Sequence, residues 1–367
     1  MAFLFCYVCA PLRRTAMIDF GNAVIRALIV HYIGRKNEDE GVVLSQHETT
    51  VDDKATNKKL VDFFAKPFAK RDDYHCFIHP SEDVNLNACY TFCKEVFTNQ
   101  AALTASSHKI AKHLYDTSGH ANIKEGELIV VVFDNLVQNG APCNGLGLYK
   151  SESKDTLLKV VLQNDNYALT SETGIGSGNI EKSCLVLNTN AEQGFLNLIN
   201  DHSKTAGEEA VFWRDTFLKV APLASDYYFT NNYLKLTTGF IKNKLAEDTT
   251  VTRADQVEML NRSVQYFKDN EQFKLAEFST EVFKSQETVK AFAEYKQEIF
   301  LDPNLNAVDS FDISESAVKR QKKYFRGVIK LDKNFHLYVH GGADQMERGY
   351  DEERNLNYYK IYFREES

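Results

Sequence analysis

The chain has 367 residues and a formal charge of −8, from 43 basic and 51 acidic side chains. With 43% hydrophobic residues, 25 Phe and 18 Tyr, it carries enough apolar surface for sizeable cores and is no disordered chain. Only six Pro and 18 Gly exclude collagen-like and proline-rich classes, and the acidity excludes a surface coated throughout in nucleic-acid-binding charge, though not one local basic patch.

The first sixteen residues, MAFLFCYVCAPLRRTA, hold an apolar stretch followed by Arg13 and Arg14. A secretory signal places its positive charge before the apolar stretch, so the order is wrong. We expect the working chain to start at Met17, with 1–16 a mis-read start or a disordered tail. No apolar run approaches the roughly 20 residues a membrane helix needs. The cysteines, at 6, 9, 76, 89, 93, 143 and 184, are odd in number and scattered. That argues for reduced thiols and a cytoplasmic protein rather than a disulfide framework.

In chain order, Ile25, Leu28 and Ile29 have helical spacing, and Val42-Val43-Leu44 reads as a short strand. Leu60, Phe63, Phe64 and Phe68 predict a helix interrupted near Pro67. A second helix carries Leu86, Cys89, Tyr90, Cys93, Val96 and Phe97 on one stripe, and a third runs from about Leu103 to Tyr115. The wholly apolar Leu128–Phe133 suits a central strand covered on both faces. Gly145–Lys150, Leu157–Leu162 and Cys184–Leu187 read as its neighbours, joined by turns at Gln138-Asn139-Gly140 and Gly174–Asn179.

After about residue 200 helical patterns dominate. Trp213, Phe217 and Val220 form one stripe, and Leu234, Ile241 and Leu245 another. Thr252-x-x-Asp255 predicts a capped helix start ahead of Val257, Leu260, Val264 and Phe267. Helix continues through Phe292, Tyr295 and Ile299 and breaks at Asp302-Pro303-Asn304. Period-two alternation then returns at Phe335, Leu337 and Val339, and at Tyr359, Ile361 and Phe363. The expected class is α+β, with an extension at 1–16, a mixed α/β domain at 17–200, a helical region at 201–301 and a small α+β region at 302–367.

Four constellations could carry chemistry. His75-Cys76-x-x-His79 with Cys89-x3-Cys93 supplies two imidazoles and thiols for zinc. The spacing matches no finger or ribbon, and Cys89 and Cys93 share the stripe of Leu86 and Phe97, so core packing is the favoured reading. Asp134 with Glu152-x-Lys154 has the residue types of a magnesium-dependent nuclease, but Ser151–Asp155 also reads as a solvated hairpin tip. Gly174-x-Gly176-x-Gly178 precedes a strand signal rather than a helix, which favours a hairpin over a phosphate loop. No cofactor or metal is expected.

The fourth is a run of cations: Lys319, Arg320, Lys322, Lys323, Arg326 and Lys330, interleaved with Tyr324 and Phe325. Such a cluster neutralises phosphates by releasing counterions. If the chain is helical up to Gly327, residues 319, 322, 323 and 326 share one face. The bland alternative is a solvated face paired with Glu347, Asp351, Glu352 or Glu353.

Several blocks resemble the bacterial nucleoid-associated protein family, in the version found in Bacteroidetes-type bacteria. They are Ala111–Tyr115 with Ile123–Val130, Val211–Val220, Asp226–Thr230 with Tyr233-Leu234, Gly341–Gly349, and Tyr358–Phe363. The similarity runs in consistent order from Met17 to the C-terminus. It implies a cytoplasmic protein of the nucleoid that associates with double-stranded DNA and has no enzymatic activity. It supplies no base-reading residue, so the expected DNA contacts are the six cations alone, and little sequence preference follows. Given the −8 charge, association is local or mediated by other nucleoid proteins. A scaffold presenting the helical region 204–300 to a protein partner is the alternative, the nuclease a lesser one. A homo-oligomer is compatible with either.

Overall fold

The apolar run Leu128–Phe133 becomes part of an interior strand, the sixth of eight in an antiparallel sheet. The computed structural model describes residues 17–120, 122–176, 180–201, 212–248, 251–300, 303–321, 328–332, 334–338 and 345–365. The chain forms two compact units that divide after Leu223.

The first unit opens with β1 (Val24–Ile33) and β2 (Val42–Val43), followed by α1 (Lys54–Ala65) and β3 (His75–Phe77). Then come α2 (Ala88–Thr98), α3 (Leu103–Thr117), β4 (Gly126–Gln138) and β5 (Ala141–Ser151). A separate ribbon of β6 (Asp155–Gln163) and β7 (Asn166–Gly174) precedes β8 (Lys182–Leu187), β9 (Leu196–Asp201) and β10 (Val220–Pro222). The sheet order is β10-β3-β9-β8-β5-β4-β1-β2. Asn139 and Gly140, both at positive φ (50° and 77°), form the tight β4–β5 turn that their types favour.

Residues of β4 alternate between two covered faces. Leu128, Val130 and Val132 join Leu148, Cys184 and Val186 in a core closed by Cys93, Val96, Ile110 and Leu114 of α2 and α3, and by Trp213 and Phe217. On the opposite face Tyr149 packs against Phe64 of α1 at 4.6 Å between ring centres, and its hydroxyl donates to the Phe64 carbonyl at 3.0 Å. Burial of each such side chain contributes about 1.5–3 kcal/mol. This is the two-sided cover that the apolar run demands.

Three local expectations are corrected. Ile25, Leu28 and Ile29 lie in strand β1, whose buried residues are Ile25, Ala27, Ile29, His31 and Ile33. Every second position faces the core, and β-branched residues favour the extended form. Leu157–Leu162 is no neighbour of the central strand, because β5 pairs directly with β8 and β6 pairs only with β7. Trp213 and Phe217 lie in a single π-helical turn, Phe212–Leu218, on the sheet core, while Val220 belongs to β10 and pairs with Phe77. Loop residues 177–179 of the glycine-rich stretch fall outside the described residues.

The second unit contains α4 (Asp226–Gly239), which runs on into a π-turn at Phe240–Lys244, and α5 (Arg253–Asp269). The Thr252–Asp255 capping box forms as expected: the Asp255 amide donates to Thr252 Oγ1, and the Thr252 amide to Asp255 Oδ2 at 2.8 Å. Next are β11 (Gln272–Lys274), α6 (Leu275–Phe283), α7 (Gln286–Ile299), α8 (Pro303–Asn306), β12 (Ser310–Asp312) and α9 (Glu315–Gln321). Two ribbons finish the unit: β13 (Val328–Leu331) with β14 (Phe335–Tyr338), and β15 (Met346–Asp351) with β16 (Leu356–Ile361). Its core is aromatic, with Phe273 stacked between Phe267 and Phe311 at 5.4 and 4.7 Å. The architecture is α+β. Among the described residues no helix is long and apolar enough to cross a membrane.

His31 gives the sheet core a titration. The Ser45 amide donates to its Nδ1 (3.1 Å), so the proton sits on Nε2, which donates to Ser107 Oγ at 2.9 Å. Burial, with a contribution from His108, lowers its pKa to about 4. A depressed histidine stabilises fully above the unfolded value near 6.5, and this stability is lost as pH falls from about 6.5 to 4. Urea unfolding across that window should lose up to roughly 3 kcal/mol through this group. His31→Gln should flatten that part of the profile, and an unchanged slope would remove His31 as its source.

Candidate nucleic-acid interface

Helix α9 is laid on α4 by its apolar and amide side. Ala317 and Gln321 are buried, the Gln321 amide donates to Asn231, and the Ser314 amide donates to Thr230 Oγ1 at 3.0 Å. That docking turns Lys319 and Arg320 outward. Lys319 pairs with Glu315 one turn back, 2.8 Å away, and the Lys319 ammonium holds the Glu315 carboxyl below the usual range. The pair is solvent-exposed, so a phosphate competes with Glu315 at little cost. Arg320 Nη1 donates to the Tyr227 hydroxyl at 3.2 Å.

The chain re-enters at β13, where Ile329 packs on Val257 of α5. Both α9 and β13 lie against α5, so one helix anchors the two ends of the basic segment. Lys322, Lys323 and Arg326 lie outside the described residues, as does the side chain of Lys330, whose backbone pairs with His336. Of the acidic residues considered as alternative partners, Glu347 pairs with Lys360 (3.6 Å) and Asp351 with Arg354 (3.4 Å).

Two cations were not found from the sequence. Arg253 opens α5 one turn before Val257, and Lys242 lies in the π-turn after α4. Burial and then the charge of Arg253 push the Lys242 pKa down, which places the two cations within electrostatic reach. Eleven positions separate them in the chain, so no local pattern marks the pair.

The other constellations resolve into structure. Cys89 and Cys93 are fully buried on the core face of α2, where burial pushes both thiols up, and Cys89 Sγ donates to the Phe217 carbonyl. His75 Nδ1 instead contacts the Asp73 carbonyl and His79 Nδ1 the Ser81 hydroxyl. Among the described residues no group of three such side chains is placed to hold a metal. The nuclease set is dispersed. Asp134 faces Arg26 at 3.6 Å, while Glu152 and Lys154 follow Ser151, which pairs with Glu127. Seven residues of extended strand separate Glu127 from Asp134, about 24 Å.

Glu152 instead bridges two buried lysines. Lys150 and Lys182, opposite one another on β5 and β8, are 0% and 1% exposed and approach Glu152 Oε1 at 2.8 and 3.1 Å. Lys150 also donates to the Lys124 carbonyl, and the Glu152 amide donates to Glu181 Oε2 at 2.8 Å. Burial pushes the Lys150 pKa down and Glu152 opposes that shift.

A family model described as nucleoid-associated protein YejK matches residues 29–356. Among curated proteins, none matches the chain.

Glu152→Gln keeps the shape and leaves two buried ammonium groups short of their shared carboxylate. Loss of one partner from a buried ion pair costs about 3–5 kcal/mol, and denaturant unfolding should show a loss of that size. A loss under about 1 kcal/mol, the range of an exposed pair, would mean water reaches the lysines.

Proposed function

This chain belongs to the nucleoid-associated protein family, and from that premise we propose that it associates with double-stranded DNA through its local basic segment. The contacts are Lys319, Arg320, Lys322, Lys323, Arg326 and Lys330, with Lys242 and Arg253 adding positive potential beside α5. The observation that carries the reading is the extent of the family match, 29–356, which encloses the whole basic segment. The exposure of Lys319 and Arg320 on α9, held there by Ala317 and Gln321, agrees with it.

Cations on an exposed helix neutralise phosphates and position a duplex, but they read no base edges. Binding is accordingly indifferent to sequence. The net charge of −8 repels DNA from the rest of the surface and confines contact to this segment. The protein works without catalysis in the cytoplasmic nucleoid, where other nucleoid proteins share the duplex with it.

The test is retention of duplex DNA by the purified chain across a salt series. Affinity should fall steeply with salt. The triple variant Lys322→Ala, Lys323→Ala, Arg326→Ala should bind more weakly, and its slope of log affinity against log salt should be shallower by about three. Equal binding by variant and native chain at every salt concentration would remove the segment from the interface. No retention even at low salt would mean that a protein partner carries the association.

A further inference from the structure

Ribbon β15–β16 turns one face to the core and the other to solvent. Its register pairs Met346 with Ile361 and Arg348 with Tyr359, and Met346 and Tyr359 pack beside Val257, Ile329, Leu331 and Leu337. The alternate positions Tyr358, Lys360 and Tyr362 therefore line the outer face, opposite Gly349, Glu347 and Gln345. The two tyrosines are 43% and 49% exposed and stand about 14 Å apart along the strand.

Gly349 shapes the first of them. A Cβ there would lie 2.2 Å from Tyr358 Cζ and 2.3 Å from its hydroxyl oxygen. The ring thus lies down across the opposite strand and turns its outer side to water, a pose that only glycine permits. Lys360 sits between the rings. Tyr362, Glu347 and Tyr358 all raise its pKa, so its ammonium is within reach of both tyrosines. Its pair with Glu347 (3.6 Å) is solvent-exposed, and Glu347 also accepts from the Tyr362 hydroxyl at 3.0 Å. An exposed pair gives way to a phosphate at little cost.

Two exposed rings flanking a cation are the elements that hold a single strand: bases stack on the rings, and the cation meets the backbone. Paired DNA fits this face poorly, because a duplex hides its base faces in its own stack. Base faces are neutral, so the acidity that keeps a duplex off the rest of the surface does not bar them. The platform also adjoins the basic segment. Strand β13, which carries Lys330, and its partner β14 pack on β15–β16 through Leu331, Leu337, Met346 and Tyr359.

We propose that the outer face of β15–β16 is a stacking platform for unpaired DNA bases, Tyr358 and Tyr362 each taking a base and Lys360 the phosphate between them. The basic segment holds paired DNA, and the platform holds an adjoining unpaired stretch. The choice of DNA rests on the function proposed above; the stacking geometry does not.

The experiment is fluorescence anisotropy of the full chain with labelled probes at one salt concentration. The probes are a duplex, the same duplex with a central run of unpaired thymidines, oligothymidine alone and oligouridine alone. The native chain should bind the interrupted duplex about fivefold or more tighter than the paired one, the effect of one stacked base. Tyr358→Leu with Tyr362→Leu should erase that preference and the oligothymidine binding, with duplex affinity unchanged. Gly349→Ala, which lifts the Tyr358 ring, should shrink the preference with both tyrosines in place. The variant Lys322→Ala, Lys323→Ala, Arg326→Ala should weaken both duplexes alike and keep their ratio. Oligothymidine binding without duplex retention would overturn the duplex reading and support the platform. Equal native affinity for paired and interrupted duplexes would overturn the platform, as would a preference that survives the double tyrosine variant. So would tighter binding of oligouridine, which would assign the face to RNA.

Discussion

One constraint organises the first unit: β4 is apolar at successive positions, so water must be excluded from both of its faces at once. An antiparallel sheet can leave one side solvated, but this strand does not permit it. Helices α2 and α3 with Trp213 cover one face, and α1 with Tyr149 covers the other. The chain therefore crosses the sheet repeatedly, and its long-range pairings (β5 with β8, β3 with β9) follow from enclosing that strand.

Charge is partitioned with equal economy. Inside, two lysines share Glu152, with Glu181 close by, so the buried set is balanced. Outside, an excess of carboxylates keeps most of the surface negative, and the one dense run of cations falls between Glu315 and Asp332. A local positive site on an acidic protein binds a polyanion in one place and in one orientation, whereas uniform basicity would bind it everywhere. The docking of α9 through Ala317 and Gln321 leaves Lys319 and Arg320 facing outward.

Much of this was legible from residue types alone. The β4–β5 hairpin announced itself through an apolar run and an Asn-Gly turn, and α5 through Thr252 and Asp255, because both signals act within a few residues. Strand β1 was misread because Ile25, Leu28 and Ile29 satisfy a helical period as well, and the polar His31 occupies a core position. The β6–β7 ribbon was misplaced because its apolar residues look the same whether the sheet or nothing covers them; only the direct pairing of β5 with β8 separates the cases. At the site, the density of cations could be read directly. The approach of Lys242 to Arg253 could not, since it depends on how α4 and α5 pack. Asp134 and Glu152, near in sequence, lie toward different ends of the sheet, while Cys89 and Cys93 pack in the core as their place on the apolar stripe of α2 favours.

Direct DNA contact by the basic segment is tested most plainly by lysine footprinting: brief acetylation of the full chain with and without duplex DNA, with each lysine's modification read by mass spectrometry. Protection should concentrate at Lys319, Lys322, Lys323 and Lys330 and should fade as salt is added, while Lys284 and Lys290, exposed at 67% and 81%, stay reactive. Unchanged reactivity across 319–330 in the presence of bound DNA would contradict the assignment.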